Sequence, residues 1–230
     1  MSGASVESTR PVNRIRGLIL DYGEVLCRPP SPDKIERMAG GAGLDPETFA
    51  ARYYRERGSY DRGDLSPADY WSRVVSDTVV LGEGLLGTLR QWDVEMWSDV
   101  DRDMTEWLHE ARAAGLKTAL LSNMHPDMAL YARRSFDWLQ HLNCVILSCE
   151  VRLIKPDYAI YKRCLEGIEL LPFEACFIDD RDANVRAARD AGLTALRFQT
   201  VESLRNDLMG IGIPVLPRAR SNRHTSAEPE

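Results

Sequence analysis

Asp21, Ser122, Asn123, Lys155, Asp179 and Asp180 each stand just after a short apolar run or in the loop that follows one. Brought together, they would supply the parts phosphoryl transfer needs: a nucleophile, cationic groups to neutralise the phosphoryl oxygens, and donors to hold them. Asp21 can attack phosphorus and form an acyl phosphate. Asp21, Asp179 and Asp180 would repel one another unless a cation sits among them, and an all-oxygen ligand set favours magnesium. Lys155 offers positive charge both to the Asp21 carboxylate and to phosphate. Ser122 can donate from its hydroxyl and Asn123 from its backbone amide, where a helix start adds to anion binding.

Positioning such a set requires an ordered scaffold, and the apolar patterning predicts one. Strands are expected at Gly17 to Leu20, Leu116 to Leu121, Cys144 to Leu147, Ala175 to Ile178 and Leu193 to Arg197. Helical patterns alternate with them, at Asp101 to Ala114 and near Ala183 to Asp190, where Gly192 is a C-terminal stop. Strand-helix alternation implies an α/β fold: a Rossmann-like parallel sheet with helices on both faces. Ligands bind at the carboxyl ends of such strands, which is where the polar residues fall.

The stretch from Asp21 to Ser122 far exceeds the about 30 residues a crossover needs, so it contains an insert. Asp45-Pro46-Glu47 and Ser66-Pro67-Ala68-Asp69 read as helix starts, and Tyr70, Trp71, Val74 and Val75 follow at helical spacing. The insert is therefore an all-helical cap over the strand ends. The expected organisation is a disordered tail over 1–13, a core over 14–27 and 101–216, a helical cap over 28–100, and a disordered tail over 217–230. The aromatics Phe49, Tyr53, Trp71, Trp92 and Trp97 read as helix-packing residues. Asp182 and Asn184 read as helix-start residues, and His125 as a neighbour of the pocket outside the catalytic set.

Composition excludes several classes. The chain of 230 residues is 44% hydrophobic and 28% charged, values of a globular protein with a proper core. A net charge of −6 without long runs of one sign argues against nucleic acid or anionic membrane as partner. No stretch approaches the ~20 apolar residues of a membrane span. The five cysteines lack CxxC spacing and read as reduced thiols of a cytoplasmic protein.

The order Asp21-Tyr22-Gly23-Glu24-Val25-Leu26, Leu121-Ser122-Asn123, Lys155-Pro156-Asp157 and Ile178-Asp179-Asp180 resembles the four motifs of the haloacid-dehalogenase-like hydrolases over about residues 16 to 200. The detail of Ile160-Tyr161, Phe177 to Arg181, Asn184-Val185 and Ala187-Ala188 is similar to the alpha-glucose-1-phosphate phosphatase subgroup. The resemblance implies a cap of type C1, inserted after the first motif. It implies Asp21 as nucleophile and metal ligand, the Gly23 carbonyl as a further ligand, and Asp180 as a third, with Asp179 binding directly or through water. It implies Ser122 and Asn123 as phosphate holders and Lys155 as the steadying charge. Most phosphatases of this family carry an acid-base aspartate two positions after the nucleophile; this chain has Gly23 there, as the similar subgroup does. Glu24 is the candidate substitute. The expected activity is magnesium-dependent hydrolysis of small phosphomonoesters, sugar phosphates among them. The alternatives are a phosphate-ligand-binding protein without turnover and a metal-independent dehalogenase.

Overall fold

The apolar runs form strands because their side chains are buried, the three central runs on both faces of one sheet and the two edge runs in part. In the structure, a computed structural model that describes residues 15–218, these are β1 (Gly17–Leu20), β2 (Lys117–Ser122), β3 (Cys144–Leu147), β4 (Ala175–Asp179) and β5 (Thr194–Arg197). They run parallel in the order β3-β2-β1-β4-β5. Leu20 pairs with Leu120 on one side and Ile178 on the other, so Asp21, Ser122 and Asp179 emerge at one end of the sheet. The second and fourth strands reach one residue further than the apolar runs, because Ser122 and Asp179 still pair with Leu147 and Arg197.

Five helices separate β1 from the core's next helix: α1 (Pro32–Gly41), α2 (Pro46–Arg55), α3 (Arg57–Asp61), α4 (Pro67–Val74) and α5 (Glu83–Met96). Asp45 caps α2 by accepting from Thr48 N at 2.9 Å, and Ser66 caps α4 by accepting from Asp69 N at 3.1 Å; each cap relieves one orphan amide. The core continues with α6 (Arg102–Ala113), α7 (Pro126–Ser135), the one-turn α8 (Ser148–Val151), α9 (Tyr158–Ile168), α10 (Asp182–Asp190) and α11 (Val201–Gly210). Gly192, at φ +88°, follows the end of α10, a conformation that favours glycine.

Alternation along β1 divides the core. Leu18 and Leu20 pack with Leu108, Met128 and Leu204 on one face, while Ile19 packs with Ile160 and Val185 on the other. Burying a side chain of this kind contributes about 1.5–3 kcal/mol. The inserted helices have their own apolar cluster, with Phe49, Tyr53, Tyr70, Trp71 and Leu89 at its centre. The ends of the insert meet where Cys27 bridges Val100 and Asp101 N donates to Leu26 O at 2.8 Å. Against the core, Arg90 grips Asp127 through two hydrogen bonds of 2.6 and 2.8 Å, and Tyr60 stacks on His125.

No helix among the described residues is long and apolar enough to cross a membrane, and the five cysteines are free thiols. The expected tails lie outside the described residues, apart from residues 217 and 218.

Candidate active site

Lys155 organises the strand ends. Its ammonium sits 2.8 Å from Asp21 Oδ1 and 2.7 Å from Asp179 Oδ2, with the side chain fully buried. A buried lysine needs such partners, since an uncompensated buried charge is strongly unfavourable. Burial opposes the charged form, but Asp179 and Asp21 outweigh it and hold the Lys155 pKa above its ordinary value. The backbone of Lys155 is clamped by the Asn123 side chain, which donates to its carbonyl at 2.9 Å and accepts from its amide at 2.8 Å.

Asp179 is saturated. Oδ1 accepts from Arg181 N at 2.8 Å, Oδ2 accepts from Lys155, and Asn184 Nδ2 donates to both oxygens at 3.0 Å. Asn184, expected only to start a helix, thus orients the aspartate that orients the lysine. Asp21 is differently placed. Its Oδ1 accepts from Tyr22 N at 2.7 Å and faces Lys155, while Oδ2 accepts no hydrogen bond described among these residues. Asp180 lies beside them, half-buried and facing the cavity.

Asp21, Asp179 and Asp180 each bring a carboxylate oxygen within 4.8 Å of the others. Burial is the main cause that pushes Asp21 up to about 7, against the pull of Lys155 and with Asp179 and Asp180 adding to the rise. Burial, then Asp179 and Glu24, push Asp180 up to about 6. Three carboxylates against one ammonium leave a local excess of negative charge. Together with the all-oxygen donor set, that excess fits a hard divalent cation such as magnesium.

Asp21, Lys155 and Asp180 floor a cavity of about 530 Å³, whose walls include Gly23, Glu24, Ser122, Asn123 and His125. The inserted helices roof it with Tyr54, Arg57, Gly58, Asp61 and Trp97. Glu24 is exposed and adopts φ +56°. Of the five aromatics read as packing residues, Phe49, Tyr53 and Trp71 are buried in the insert's own cluster, and Trp92 lies under Arg37. Trp97 differs: it packs against that cluster and also faces the cavity. His125 is buried, and burial lowers its pKa to about 4. Tyr54, Arg57, Gly58 and Asp61, which carry no local signature in the sequence, are the roof residues that sequence reasoning missed.

Comparison with known proteins agrees with this architecture. The family model described as haloacid dehalogenase-like hydrolase matches residues 18–192. The chain is 32% identical over 133 residues to mouse acyl-CoA dehydrogenase family member 10, a match covering 55% of this chain and 12% of that protein. It is 26% identical to the sesquiterpene phosphatase astK of Aspergillus oryzae, covering 60% of this chain and 70% of that one. The first curated relatives are much longer proteins, of which the match spans 12% to 22%. A HAD family enzyme from Bacteroides thetaiotaomicron, solved in complex with magnesium and inorganic phosphate, superposes with a TM-score of 0.64 at 18% identity, covering 80% of this chain and 94% of that one. At that identity the likeness is one of fold.

Proposed function

The chain belongs to the haloacid dehalogenase-like hydrolases, and we propose that it is a magnesium-dependent phosphatase of small phosphomonoesters. The observation that carries this reading is the buried Lys155 ammonium bridging Asp21 and Asp179 beside Asp180. In this reading the free Oδ2 of Asp21 attacks phosphorus, the bond to the leaving oxygen breaks, and water then hydrolyses the aspartyl phosphate. Asp21, the Gly23 carbonyl and Asp180 hold the metal, with Asp179 acting through water because its oxygens are already engaged. Bound magnesium would neutralise phosphoryl charge and orient the phosphate. Ser122 and the Asn123 amide hold the phosphoryl oxygens, and Lys155 steadies the charge that develops. The insert closes over the site as a cap, and Asn123 and Asn184 serve as positioning residues. Sugar phosphates suit a cavity whose roof is polar and aromatic, and a cytoplasmic location suits free thiols.

Phosphate release should be screened over sugar phosphates, nucleotides and flavin phosphates, with magnesium and with chelator. Release that depends on the metal and vanishes in Asp21→Asn supports the reading. Halide release from a 2-haloacid that survives chelation, without phosphate release, points to a dehalogenase instead, a reading the three clustered carboxylates disfavour because they repel a substrate acid. Gly23 favours a second reading, a phosphate-ligand-binding protein without turnover. Tight binding with no release in wild type, as in Asp21→Asn, would establish that.

Gly23 also permits a direct repair. A Cβ built there meets only Trp97 Cζ3, at an ordinary 3.8 Å. A carboxylate there can activate the water that hydrolyses the aspartyl phosphate, so Gly23→Asp is expected to raise turnover about tenfold, at the low end of what general acid-base help is worth. Steady-state kcat on one phosphomonoester checks this, and unchanged or lower kcat contradicts it.

Magnesium binding should register in thermal unfolding. At about 100 times Kd, ligand linkage stabilises by about 2.7 kcal/mol, or about 5–10 °C in a chain of this size. Protons on Asp21 and Asp180, whose pKa values are raised to about 7 and about 6, compete with the metal. The increment should therefore be small near pH 5.5, grow as pH rises, and level off above about 7. Asp180→Asn should lose it, as a differential scan with and without magnesium would show.

A further inference from the structure

The catalytic floor lacks a proton donor for the leaving oxygen, since the position two residues after Asp21 is Gly23. The cap carries a charge imbalance in the wall of the same cavity. Arg57 contacts two buried carboxylates at once, with Nε 2.9 Å from Asp61 Oδ1 and Nη1 3.1 Å from Asp93 Oδ2. Asp93 is fully buried and well satisfied: Tyr53 Oη donates to it at 2.6 Å, and Arg57 Nη1 reaches both of its oxygens. Asp61 is not. Its buried Oδ1 accepts no well-formed hydrogen bond despite the nearby guanidinium, and the small exposed part of its side chain faces the cavity. Two carboxylates sharing one cation away from water favour retention of a proton. Asp61 Oδ1, left without a hydrogen-bond partner, has room to carry one.

Asp61 is also held in place. Its carbonyl accepts from Ser148 Oγ, and Ser148 Oγ in turn accepts from Met124 N at 2.8 Å, in the loop after Ser122 and Asn123. The backbone that carries the cap carboxyl is thus tied by two bonds to the loop expected to hold phosphate.

We infer that Asp61 is the general acid of this enzyme, protonating the leaving oxygen from the cap in place of the side chain absent at Gly23. The inference rests on the phosphatase reading of the site. As Asp21 Oδ2 bonds to phosphorus, the bond from phosphorus to the leaving oxygen breaks with its electron pair on that oxygen. The Asp61 proton moves to it, releasing a neutral alcohol. Asp61 is left as carboxylate beside Arg57 and regains its proton from solvent when the alcohol departs. Exposed Glu24 offers no comparable enclosure.

The groups facing Asp61 are Arg57 on its own helix, Asp93 of α5, Tyr70 of α4, Cys149 of α8 and Arg181 at the start of α10. Burial raises Asp61 to about 6, with Arg57 opposing and Asp93 adding to the rise. The acid form is thus held into the range in which donors of this kind operate.

Substituted phenyl phosphates test this, because their shapes are alike and their leaving groups differ in acidity. Asp61→Asn should lose about 10²-fold in kcat on phenyl phosphate and at least tenfold less on p-nitrophenyl phosphate, whose leaving oxygen needs little protonation. The slope of log kcat against leaving-group acidity should steepen accordingly. Equal loss on both substrates would mark Asp61 as a packing partner of Arg57 and overturn the proposal, as would no loss on either. A measurement on wild type guards against misfolding of the variant. The ratio of phenyl to p-nitrophenyl turnover should fall as pH rises through about 6, since the Asp21 ionisation is common to both substrates and cancels. A flat ratio overturns the proposal. If wild type with magnesium releases phosphate from neither substrate, the phosphatase reading fails and this inference with it. Release from both with a flat ratio removes Asp61 alone.

Discussion

Asp21→Asn is expected to reduce phosphate release by about 10⁴-fold or more, the scale seen when a nucleophile is removed from an enzyme, while the fold persists. The amide keeps the shape of the carboxylate and can still accept from Tyr22 N, which bonds to Oδ1 at 2.7 Å. It cannot become an acyl phosphate. Its effect on stability distinguishes it from a damaging substitution. In chelator, the Asp21 carboxyl has its pKa raised from 3.8 to about 7, chiefly by burial. A carboxyl whose folded-state pKa lies above its unfolded value works against folding once ionised. That penalty is absent below about pH 4, grows as pH rises, and is complete above about 7. The asparagine variant should therefore melt no lower than wild type at pH 8 without magnesium, and should gain less from added magnesium. Thermal scans in chelator and in magnesium, beside a phosphate-release assay, check all three outcomes. Retained turnover would remove Asp21 from the mechanism.

Lys155→Met is expected to be the most destabilising change at the site. The ammonium is fully buried and within 2.8 Å of Asp21 and 2.7 Å of Asp179. Methionine fills a similar volume but leaves both carboxylates facing each other across an apolar group. Breaking a buried pair by removing one partner typically costs about 3–5 kcal/mol, or about 10 °C in a chain of this size. Two features identify the cause as electrostatic rather than a packing fault. Lowering the pH should recover part of the loss as the carboxylates protonate. Adding Asp21→Asn to Lys155→Met should also recover part of it, since the two sites share one interaction and their effects do not add. A double-mutant cycle by denaturant unfolding checks this; strictly additive losses would refute the coupling.

Both predictions concern residues that could be found in the linear chain. Asp21, Ser122, Lys155, Asp179 and Asp180 lie at or near the ends of apolar runs, and in a parallel sheet those ends share one edge. The helix starts at Asp45-Pro46 and Ser66-Pro67 were equally readable, because a cap and a proline act within a few residues of each other. What escaped was whatever depends on side chains meeting across long separations. Asn123 was read for its amide, yet its side chain clamps the Lys155 backbone. Asn184 was read as a helix-start residue, yet both oxygens of Asp179 accept from its side chain. An asparagine near a helix start satisfies local rules either way, so nothing nearby in sequence separates the two roles.

The cap shows the same division more sharply. Its helicity and its place after the first strand follow from the length of the interval and from local capping chemistry, which are properties of consecutive residues. That Arg57 faces both Asp61 and Asp93, and that Asp61 is tied to Ser148 and through it to Met124, follows only from how the cap helices pack on one another and on the core. By itself the sequence determined the kinds of element, their order and the floor of the site, because burial periodicity and strand-end placement are local or topological. The tertiary structure alone decided which buried charges share a counterion, because burial and proximity, which together set protonation, belong to the packed chain and not to any segment of it.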